Sequence, residues 1–114
     1  MTADYEALTA LGDAYLAERD GNVIALLVLR PAPTYMLLEN VAVVPEEQGA
    51  GVGRRLLMLA EDEARRLGLP EVRLYTNAAM TENLSYYVRH GYRETHRAIH
   101  EGFDRVFFVK HLSP

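Results

Sequence analysis

VAVVPEEQGAGVGRR, from Val41 to Arg55, is the stretch of this chain that decides its fold. An apolar strand runs into a glycine-rich turn and then directly into a helical sequence. The glycines alternate along the chain at Gly49, Gly51 and Gly53. Because glycine has no Cβ and adopts positive φ at little cost, such a turn can direct several backbone N–H groups into one concavity. The free N–H groups at the start of the helix add to it, so the stretch predicts an anion-binding turn.

The residues after the glycines favour a phosphate as the anion. Arg54 and Arg55 lie in the first turn of the predicted helix, where the helix dipole opposes a cation by about 0.3–1 kcal/mol. A bound phosphate would offset that cost. Two common phosphate motifs do not fit, because a P-loop needs Lys followed by Ser or Thr where Arg54 and Arg55 stand. A dinucleotide fingerprint needs the spacing G-x-G-x-x-G and an acid about 20 residues further on, where this chain has Arg73.

Length and composition describe one globular domain spanning residues 1–114. The net charge of −4 gives no electrostatic attraction to nucleic acid or to an anionic membrane. The absence of cysteine excludes a disulfide, a thiolate metal ligand and a cysteine nucleophile. The longest apolar run, Val23 to Leu29, is far shorter than the roughly 20 residues of a membrane helix, and the N-terminus lacks the pattern of a signal peptide. We therefore expect a cytoplasmic protein that binds neither nucleic acid nor membrane.

The apolar periodicity predicts an α/β (α+β) fold. In chain order, the predicted elements are a short helix over 3–11, strands over 13–19, 23–30 and 35–44, the helix after the glycine turn, a strand over 71–76, a helix over 78–90, and strands over 92–100 and 103–111. Asp20 and Gly21 predict a hairpin turn, and Asn77 is expected to cap the second long helix. The strands before and after the first long helix should be parallel, because a crossover helix joins them. The sum is a mixed six-stranded sheet, an antiparallel meander plus a central splayed parallel pair, flanked by about three helices.

This topology brings two separate stretches of sequence together. Ligands of open sheets bind at the carboxyl ends of parallel strands, where the connections diverge. One of these ends is Val44, which leads to the glycine turn, and the other is Thr76, which leads to the second long helix. We therefore expect the glycine turn and the segment after Thr76 to form one site.

Both stretches resemble the GNAT superfamily of N-acetyltransferases. QGAGVG, from Gln48 to Gly53, resembles the Q/R-x-x-G-x-G/A turn that binds acyl-CoA in that family. MTENLSYYVRHGY, from Met80 to Tyr92, resembles the family segment in which an Asn precedes a Tyr and then Gly-Phe/Tyr. Tyr87 stands four residues before Gly91, as the tyrosine of the family does. The order of the predicted elements fits the same fold, in a compact form with a shortened N-terminus.

The resemblance implies an acyltransferase that moves an acetyl group from acetyl-CoA to a primary amine, with no metal. The pantetheine of acetyl-CoA would pair with the strand backbone at Val41, Ala42 and Val43, and the thioester carbonyl would meet an N–H near Val43. The pyrophosphate would bind the N–H groups of Gln48, Gly49, Ala50, Gly51, Val52, Gly53 and Arg54. The amine would attack the thioester directly, because the chain has no cysteine.

The resemblance also assigns side-chain roles. Tyr87 would protonate the departing thiolate, since a thiol pKa of about 8.5 and a phenol pKa of about 10 allow transfer within a hydrogen bond. Tyr86 is the poorer candidate because it points about 100° away round the helix. The family's CoA-contacting Asn, seven residues before the tyrosine, is Met80 here, and Asn83 is the candidate substitute. Glu39, taken to be in phase with Val41 and Val43 on the strand, is the candidate general base.

Alternative interpretations of these residues stay open. Tyr87 also fits a core aromatic, and Asn83 and Glu39 also fit solvated polar residues. The four histidines, His90, His96, His100 and His111, are interpreted as surface residues rather than metal ligands. The chain could instead be a non-catalytic acyl-CoA-binding or sensor domain, or a small interaction module whose glycine turn holds no ligand. Because the front of the chain is short for the family, either the acceptor cleft is unusually open or a second subunit closes it. We expect a homodimer, since a second copy would also cover an exposed sheet edge.

Overall fold

The computed structural model describes Tyr5 and residues 7–113, which form one mixed sheet flanked by helices. The strands are β1 Ala7–Leu11, β2 Ala14–Arg19, β3 Asn22–Pro31, β4 Met36–Val43, β5 Glu71–Asn77, β6 Arg93–His100 and β7 Phe103–His111. The helices are α1 Val52–Arg66 and α2 Thr81–Arg89, and a single 3₁₀ turn covers Pro45–Glu47. In space the strands follow the order β1-β2-β3-β4-β5-β7-β6, and only β4 and β5 run parallel. The predicted mixed sheet with one parallel pair is confirmed, with seven strands rather than six.

The extra strand replaces the helix that was predicted over residues 3–11, and that prediction was wrong for the described part of the segment. Ala7–Leu11 pairs antiparallel with β2, and Leu11 lies opposite Ala14. Gly12, expected to end a helix, has a φ of +60° in the tight turn between the two strands. The local spacing of apolar residues was overridden because the edge of β2 offers a ladder of backbone hydrogen bonds that a helix cannot use.

The core lies between α1 and the central strands. α1 presents an apolar stripe in which Val52, Leu56 and Ala60 are fully buried. The central strands supply the other side of the core, with Leu27 fully buried and Val72 likewise. Each such leucine contributes about 1.5–3 kcal/mol by leaving water. The predicted apolar face of α1 is confirmed, and this packing holds the start of α1 at the end of β4.

A buried polar cluster joins α1 to the last strands. Glu61 is only 7% exposed on α1 and accepts hydrogen bonds from Tyr92 Oη at 3.2 Å and Lys110 Nζ at 3.1 Å. Lys110 Nζ also donates to the carbonyl of His90 at 3.0 Å, just after α2. Burial first, and the Glu61 carboxylate second, raise the pKa of Tyr92 well above its usual value. The cluster therefore fixes the C-terminal end of α2 against α1.

α2 starts later than the sequence predicted, at Thr81 rather than near Ala78. Asn77 Oδ1 accepts a hydrogen bond from the Ala79 N–H at 2.8 Å, which forms a turn ahead of the helix instead of capping it. The other end agrees with the prediction, because Gly91 follows the helix with a φ of +90°.

Candidate functional site

A cleft opens in the sheet where the two parallel strands diverge. β4 and β5 pair only at Met36 with Val72 and at Leu37 with Arg73, so their carboxyl ends splay apart. The resulting cleft has a volume of about 660 Å³. It is lined by residues of β3, β4, β5, α2 and β7, by the N-cap of α2 and by the turn between β6 and β7: Val28, Arg30, Leu38, Glu39, Asn40, Val41, Leu74, Tyr75, Thr76, Asn77, Met80, Asn83, Tyr87, Glu101 and Arg105.

A β-bulge in β4 accompanies the divergence. Leu38 lies opposite Leu29 and Asn40 lies opposite Val28, which leaves Glu39 as an extra residue without a partner in β3. A bulge bends its strand and increases its twist, which turns the end of β4 away from β5. The prediction that Glu39 is in phase with Val41 and Val43 was therefore wrong, because the extra residue shifts the alternation.

The free edge of β4 presents backbone hydrogen-bonding groups to the cleft side. The Val44 N–H donates to the Ile24 carbonyl at 2.9 Å, and hydrogen-bonded pairs alternate along an antiparallel ladder. Ala42 therefore directs its backbone groups toward β3, whereas Val41 and Val43 direct theirs toward the diverged β5. The Val43 carbonyl accepts a hydrogen bond from Gln48 Nε2 at 3.0 Å, which ties the glycine turn to the end of β4.

The glycine turn has the geometry that its sequence predicts. Gly49 and Gly51 have φ values of +85° and +93°, in the left-handed region that favours glycine. Gly51 is the N-cap of α1, no described side chain caps that helix, and its first turn contains no acid. The N–H groups of Val52, Gly53 and Arg54 thus stand at a positive helix end without a side-chain acceptor.

Gly53 is required for a different reason. Its φ is not positive, but a Cβ built there would lie 3.1 Å from the hydroxyl of Tyr86. Tyr86 reaches the turn from α2, so the third glycine allows the two stretches of sequence to pack against each other. The expected convergence of these stretches is thus a direct contact.

Tyr87 lies buried in the cleft wall. Its side chain is 7% exposed, and its ring centroid lies 5.7 Å from that of Phe108 and 5.9 Å from that of Tyr92. Burial first, and the neighbouring Tyr86 second, raise the pKa of Tyr87 to about 12. The phenol therefore keeps its proton throughout the neutral range, and it is a hydrogen-bond donor to anything that the cleft holds.

Asn83 reaches the same cleft from the first turns of α2. Its Nδ2 donates to Thr76 Oγ1 at 3.3 Å, at the carboxyl end of β5. The same nitrogen lies 3.7 Å from Met80 Sδ. Met80, at the position where the family has its Asn, is 54% exposed. The amide of Asn83 is thus the polar group that α2 adds to the cleft beside Tyr87.

Glu39 faces the cleft as part of an ion-pair chain. Its carboxylate contacts Arg30 Nε, and Arg30 Nη1 lies 3.2 Å from Asp13 Oδ2. The Glu39 carboxylate raises the pKa of the Arg30 guanidinium through its hydrogen bond first and its charge second. The sequence identified Glu39 as a base, but it did not identify Arg30 as the cation that holds the carboxylate.

Arg105 is the main cleft residue that the sequence analysis missed. It lies opposite Asn77 in the pairing of β7 with β5. Its guanidinium carbon lies 5.0 Å from the ring centroid of Tyr75 and 5.4 Å from that of Phe103. No local motif marks this arginine, because its place in the cleft depends on the register between two strands that are distant in sequence.

The histidines occupy separate positions. His96 stacks on Phe107 with ring centroids 4.3 Å apart, His100 contacts Tyr75 and Phe107, and His90 Nδ1 lies 2.8 Å from the Tyr86 carbonyl. Among the described residues, no group of three or more His, Asp or Glu side chains could hold a metal ion. None of the described helices has the length and hydrophobicity needed to cross a membrane.

Comparison with known proteins agrees with this geometry. The sequence model of the acetyltransferase (GNAT) family matches residues 2–92. The chain therefore belongs to the GNAT family of acetyltransferases.

Two curated relatives carry N-acetyltransferase names. Aminoalkylphosphonate N-acetyltransferase of Salmonella typhimurium (strain LT2) is 31% identical over 87 residues, which cover 71% of this chain and 56% of that protein. The uncharacterized N-acetyltransferase YvbK of Bacillus subtilis (strain 168) is 27% identical over 101 residues, covering 88% of this chain and 61% of that protein. The chain thus spans about three fifths of the length of these two relatives.

Solved structures establish the fold. Nourseothricin acetyltransferase superposes with a TM-score of 0.81 at 22% identity, covering 88% of this chain and 66% of that one. A GNAT family acetyltransferase from Elizabethkingia anophelis, with acetyl-CoA bound, superposes with a TM-score of 0.76 at 23% identity. That superposition covers 87% of this chain and 75% of the neighbour.

Proposed function

We propose that residues 1–114 form one acetyltransferase domain that moves an acetyl group from acetyl-CoA to a primary amine. The observation that carries this proposal is that the diverging β4 leads from the cleft wall, where Tyr87 lies, to the uncapped start of α1, and that Tyr86 of α2 contacts the glycine turn at Gly53. Family membership supports the acetyl donor and the class of reaction.

Acetyl-CoA binds along the free edge of β4. The backbone groups of Val41 and Val43 pair with the pantetheine amides in the manner of an added strand. The pyrophosphate binds the N–H groups of the glycine turn, from Gln48 to Arg54, where the start of α1 adds its dipole. The Elizabethkingia anophelis neighbour holds acetyl-CoA on the same fold, which supports this donor.

The reaction is a direct transfer in one chemical step. The amine nitrogen attacks the thioester carbon, the C–N bond forms, and the C–S bond breaks. An N–H near Val43 stabilises the oxyanion that develops on the carbonyl oxygen. The amine loses one proton and the CoA sulfur gains one, so the products are the N-acetylated amine and CoA thiol.

Tyr87 donates a hydrogen bond to the departing sulfur. Because its pKa is about 12, the phenol is fully protonated when the thiolate forms. The same pKa lies well above the ordinary thiol value of about 8.5, so the phenol stabilises the thiolate mainly by hydrogen bonding. A proton that the phenol gives to the sulfur is replaced from solvent water, which leaves CoA thiol and a neutral Tyr87. Asn83 and Thr76 hold the neighbouring polar wall of the cleft.

Glu39 accepts the proton that the amine loses, directly or through a water molecule. It lines the cleft, and its carboxylate carries a negative charge that attracts an ammonium substrate. Arg30 competes for the same carboxylate, which weakens Glu39 as a base. This ion pair is also the observation that favours a second candidate function, a non-catalytic acyl-CoA-binding or sensor domain.

The acceptor is a small molecule or a protein amine in the cytoplasm. The name of the Salmonella typhimurium relative gives an aminoalkylphosphonate as its acceptor, and such compounds belong in a first panel of amines. The homodimer expected from the sequence stays a prediction. β6 is exposed along its whole length, and Ile99 on it is 76% exposed, which leaves that edge open to a second copy.

One assay separates the two functions. CoA thiol release is measured with acetyl-CoA and a panel of primary amines, in parallel with thermal unfolding in excess acetyl-CoA. An acetyltransferase is stabilised by acetyl-CoA and releases thiol in the presence of an amine. Stabilisation without thiol release from any amine would support the sensor domain, and no stabilisation would exclude both.

Glu39→Gln tests the base in the same assay. We expect it to lower kcat/KM by about 100-fold near neutral pH, at the low end of the range for acid–base groups because Arg30 already contacts the carboxylate. The matched control is Glu94→Gln, which removes an ion-paired carboxylate of β6 that contacts Arg97 and does not line the cleft. A kcat/KM of Glu39→Gln equal to that of Glu94→Gln would mean that Glu39 is not the base.

A further inference from the structure

Arg105 differs from most of the arginines because it lacks an acidic partner. Its Nε is buried and has no hydrogen-bond partner among the described residues. No carboxylate of the described residues lies within ion-pair distance of its guanidinium, whereas other arginines contact carboxylates: Arg19, Arg30, Arg65, Arg66, Arg73 and Arg97. A buried donor without an acceptor costs free energy. The guanidinium of Arg105, which lines the cleft, therefore has hydrogen-bonding capacity that no described residue uses.

The guanidinium of Arg105 is held in place. It lies against the rings of Tyr75 and Phe103, and cation–π contacts of this kind restrict a side chain that would otherwise move freely. The backbone of Arg105 is also paired on both sides, to Asn77 of β5 and Ala98 of β6. A pre-positioned planar cation loses little entropy on binding a carboxylate or a phosphoryl group.

Arg105 lies in the cleft where the acceptor would react. The cleft is lined by Tyr87 and Glu39 as well as by Arg105. The phosphates of acetyl-CoA are assigned to the glycine turn at the far end of β4, so they do not need this arginine. Arg30, the other arginine of the cleft, already contacts Glu39 and Asp13. An anion on Arg105 therefore belongs to the second substrate.

We propose that Arg105 binds an anionic group of the acceptor, so that the preferred substrates are small amines that also carry a carboxylate, phosphate or phosphonate. This inference rests on the proposed acetyltransferase function and narrows its substrate class. The amine faces Glu39 while the anion contacts the guanidinium, and the two opposite charges of the cleft orient one zwitterionic molecule. The acetylated product keeps the anion and loses the cationic charge of the amine.

The experiment uses matched pairs of acceptors that differ only in the anion. β-Alanine is compared with its amide, and phosphoethanolamine with ethanolamine, after correction for the fraction of free amine. We expect the anionic member to have a kcat/KM about 10- to 100-fold higher, the range for a hydrogen bond to a charged group. Arg105→Gln should abolish that preference by raising KM for the anionic member. The kcat for the anionic member and the kcat/KM for the neutral member should stay unchanged. Arg105→Lys should retain part of the preference, because it keeps the charge and loses the planar fork.

Arg93→Gln is the control, since Arg93 is an exposed arginine of the adjacent strand that does not line the cleft. It should keep the full preference. A second control offers succinyl-CoA with a neutral amine, because a carboxylate on the acyl group has the same chemistry. Thermal unfolding of each variant with acetyl-CoA checks that it folds and binds the donor.

Three results would overturn the proposal while leaving the proposed function intact. They are equal use of the paired acceptors by the wild type, an equal loss for both members in Arg105→Gln and Arg105→Lys, and an effect of Arg105→Gln only on succinyl-CoA. In the last case the anion belongs to the acyl donor. If no amine of either kind is acetylated, the proposed function fails first, and the inference fails with it.

Discussion

The glycine turn and the cleft are two parts of one proposed site, and they are built by different means. The turn is a continuous stretch whose binding groups are backbone N–H groups, directed by Gly49, Gly51 and the start of α1. The cleft is assembled from the side chains of five separate elements. A site made of backbone groups can therefore be recognised in a short sequence motif, whereas a site made of converging side chains can be recognised only once the strand registers are known.

The two parts should therefore fail in different ways when they are mutated. Changes in the turn should remove donor binding, and changes in the cleft should slow the reaction while the donor still binds. Changes in the scaffold that connects them should affect the folding stability alone. The predictions below test this separation.

The largest effect is expected from Gly51→Asp. A side chain there strains a residue with a φ of +93° and brings a negative charge to the phosphate position. In thermal unfolding, acetyl-CoA at about 100 times its Kd should stabilise the wild type by about 2.7 kcal/mol and this variant not at all.

Gly68→Asp is the matched control for Gly51→Asp. Gly68 has a φ of +72° with open space around it, and it follows the opposite end of α1. It should show the same backbone strain and the wild-type stabilisation by acetyl-CoA. Equal stabilisation of both variants would mean that the glycine turn does not bind the donor.

An intermediate effect is expected from Tyr87→Phe in the cleft. Loss of the hydroxyl should lower kcat by about 100-fold, while the Kd for acetyl-CoA changes little. Steady-state kinetics and a donor-binding titration give the two values. Tyr86→Phe, which removes the adjacent hydroxyl that lies at Gly53 and outside the cleft lining, should keep its kcat. An unchanged kcat in Tyr87→Phe would refute its role at the leaving group.

The smallest functional effect is expected from Glu61→Gln in the scaffold. The neutral amide cannot pair with the Lys110 charge, so the free energy of unfolding should fall by about 1–3 kcal/mol in a urea titration. Glu63→Gln, which breaks an exposed pair with Arg66 on the same helix, should cost about 0–1 kcal/mol. Both variants should bind acetyl-CoA as the wild type does. A loss of donor affinity in Glu61→Gln would show that the scaffold and the turn are coupled.

Most of the fold could be predicted from local patterns. The strands β2 to β5, the apolar stripe of α1 and the crossover that makes β4 and β5 parallel all follow from residue types and their local spacing. The first strand was missed because Leu8 and Leu11 fit a helical spacing and Gly12 fits either a helix end or a hairpin. Only pairing with β2 decides between them, and that pairing is a tertiary interaction.

The residues of the candidate site also divide into those that the local sequence identifies and those whose place depends on strand pairing. Tyr87, Asn83 and Glu39 were named from sequence, and all three line the cleft, although their roles stay proposals. The prediction that Glu39 is in phase with Val41 and Val43 was wrong, because a bulge in β4 shifts the alternation of side chains. No local sequence pattern marks that bulge. Arg105 was missed because its place in the cleft depends on the pairing of β7 with β5: Phe103 is its neighbour on the same strand, whereas Tyr75 is brought to it by β5.

The amino-acid sequence is sufficient to predict the glycine turn, because alternating glycines between a strand and an amphipathic helix mark a turn that uses positive φ values, which glycine adopts at low cost. The sequence also predicts the parallel pair, because a helix between two strands of one sheet carries the chain back to the end from which the second strand runs in the same direction as the first. Three features became visible only in the folded structure: the point at which β4 leaves β5, the contact of Arg30 with Glu39, and the position of Arg105 in the cleft with no acidic partner among the described residues. These outcomes depend on strand register and on contacts between residues far apart in the chain, and neither is encoded in the spacing of neighbouring side chains.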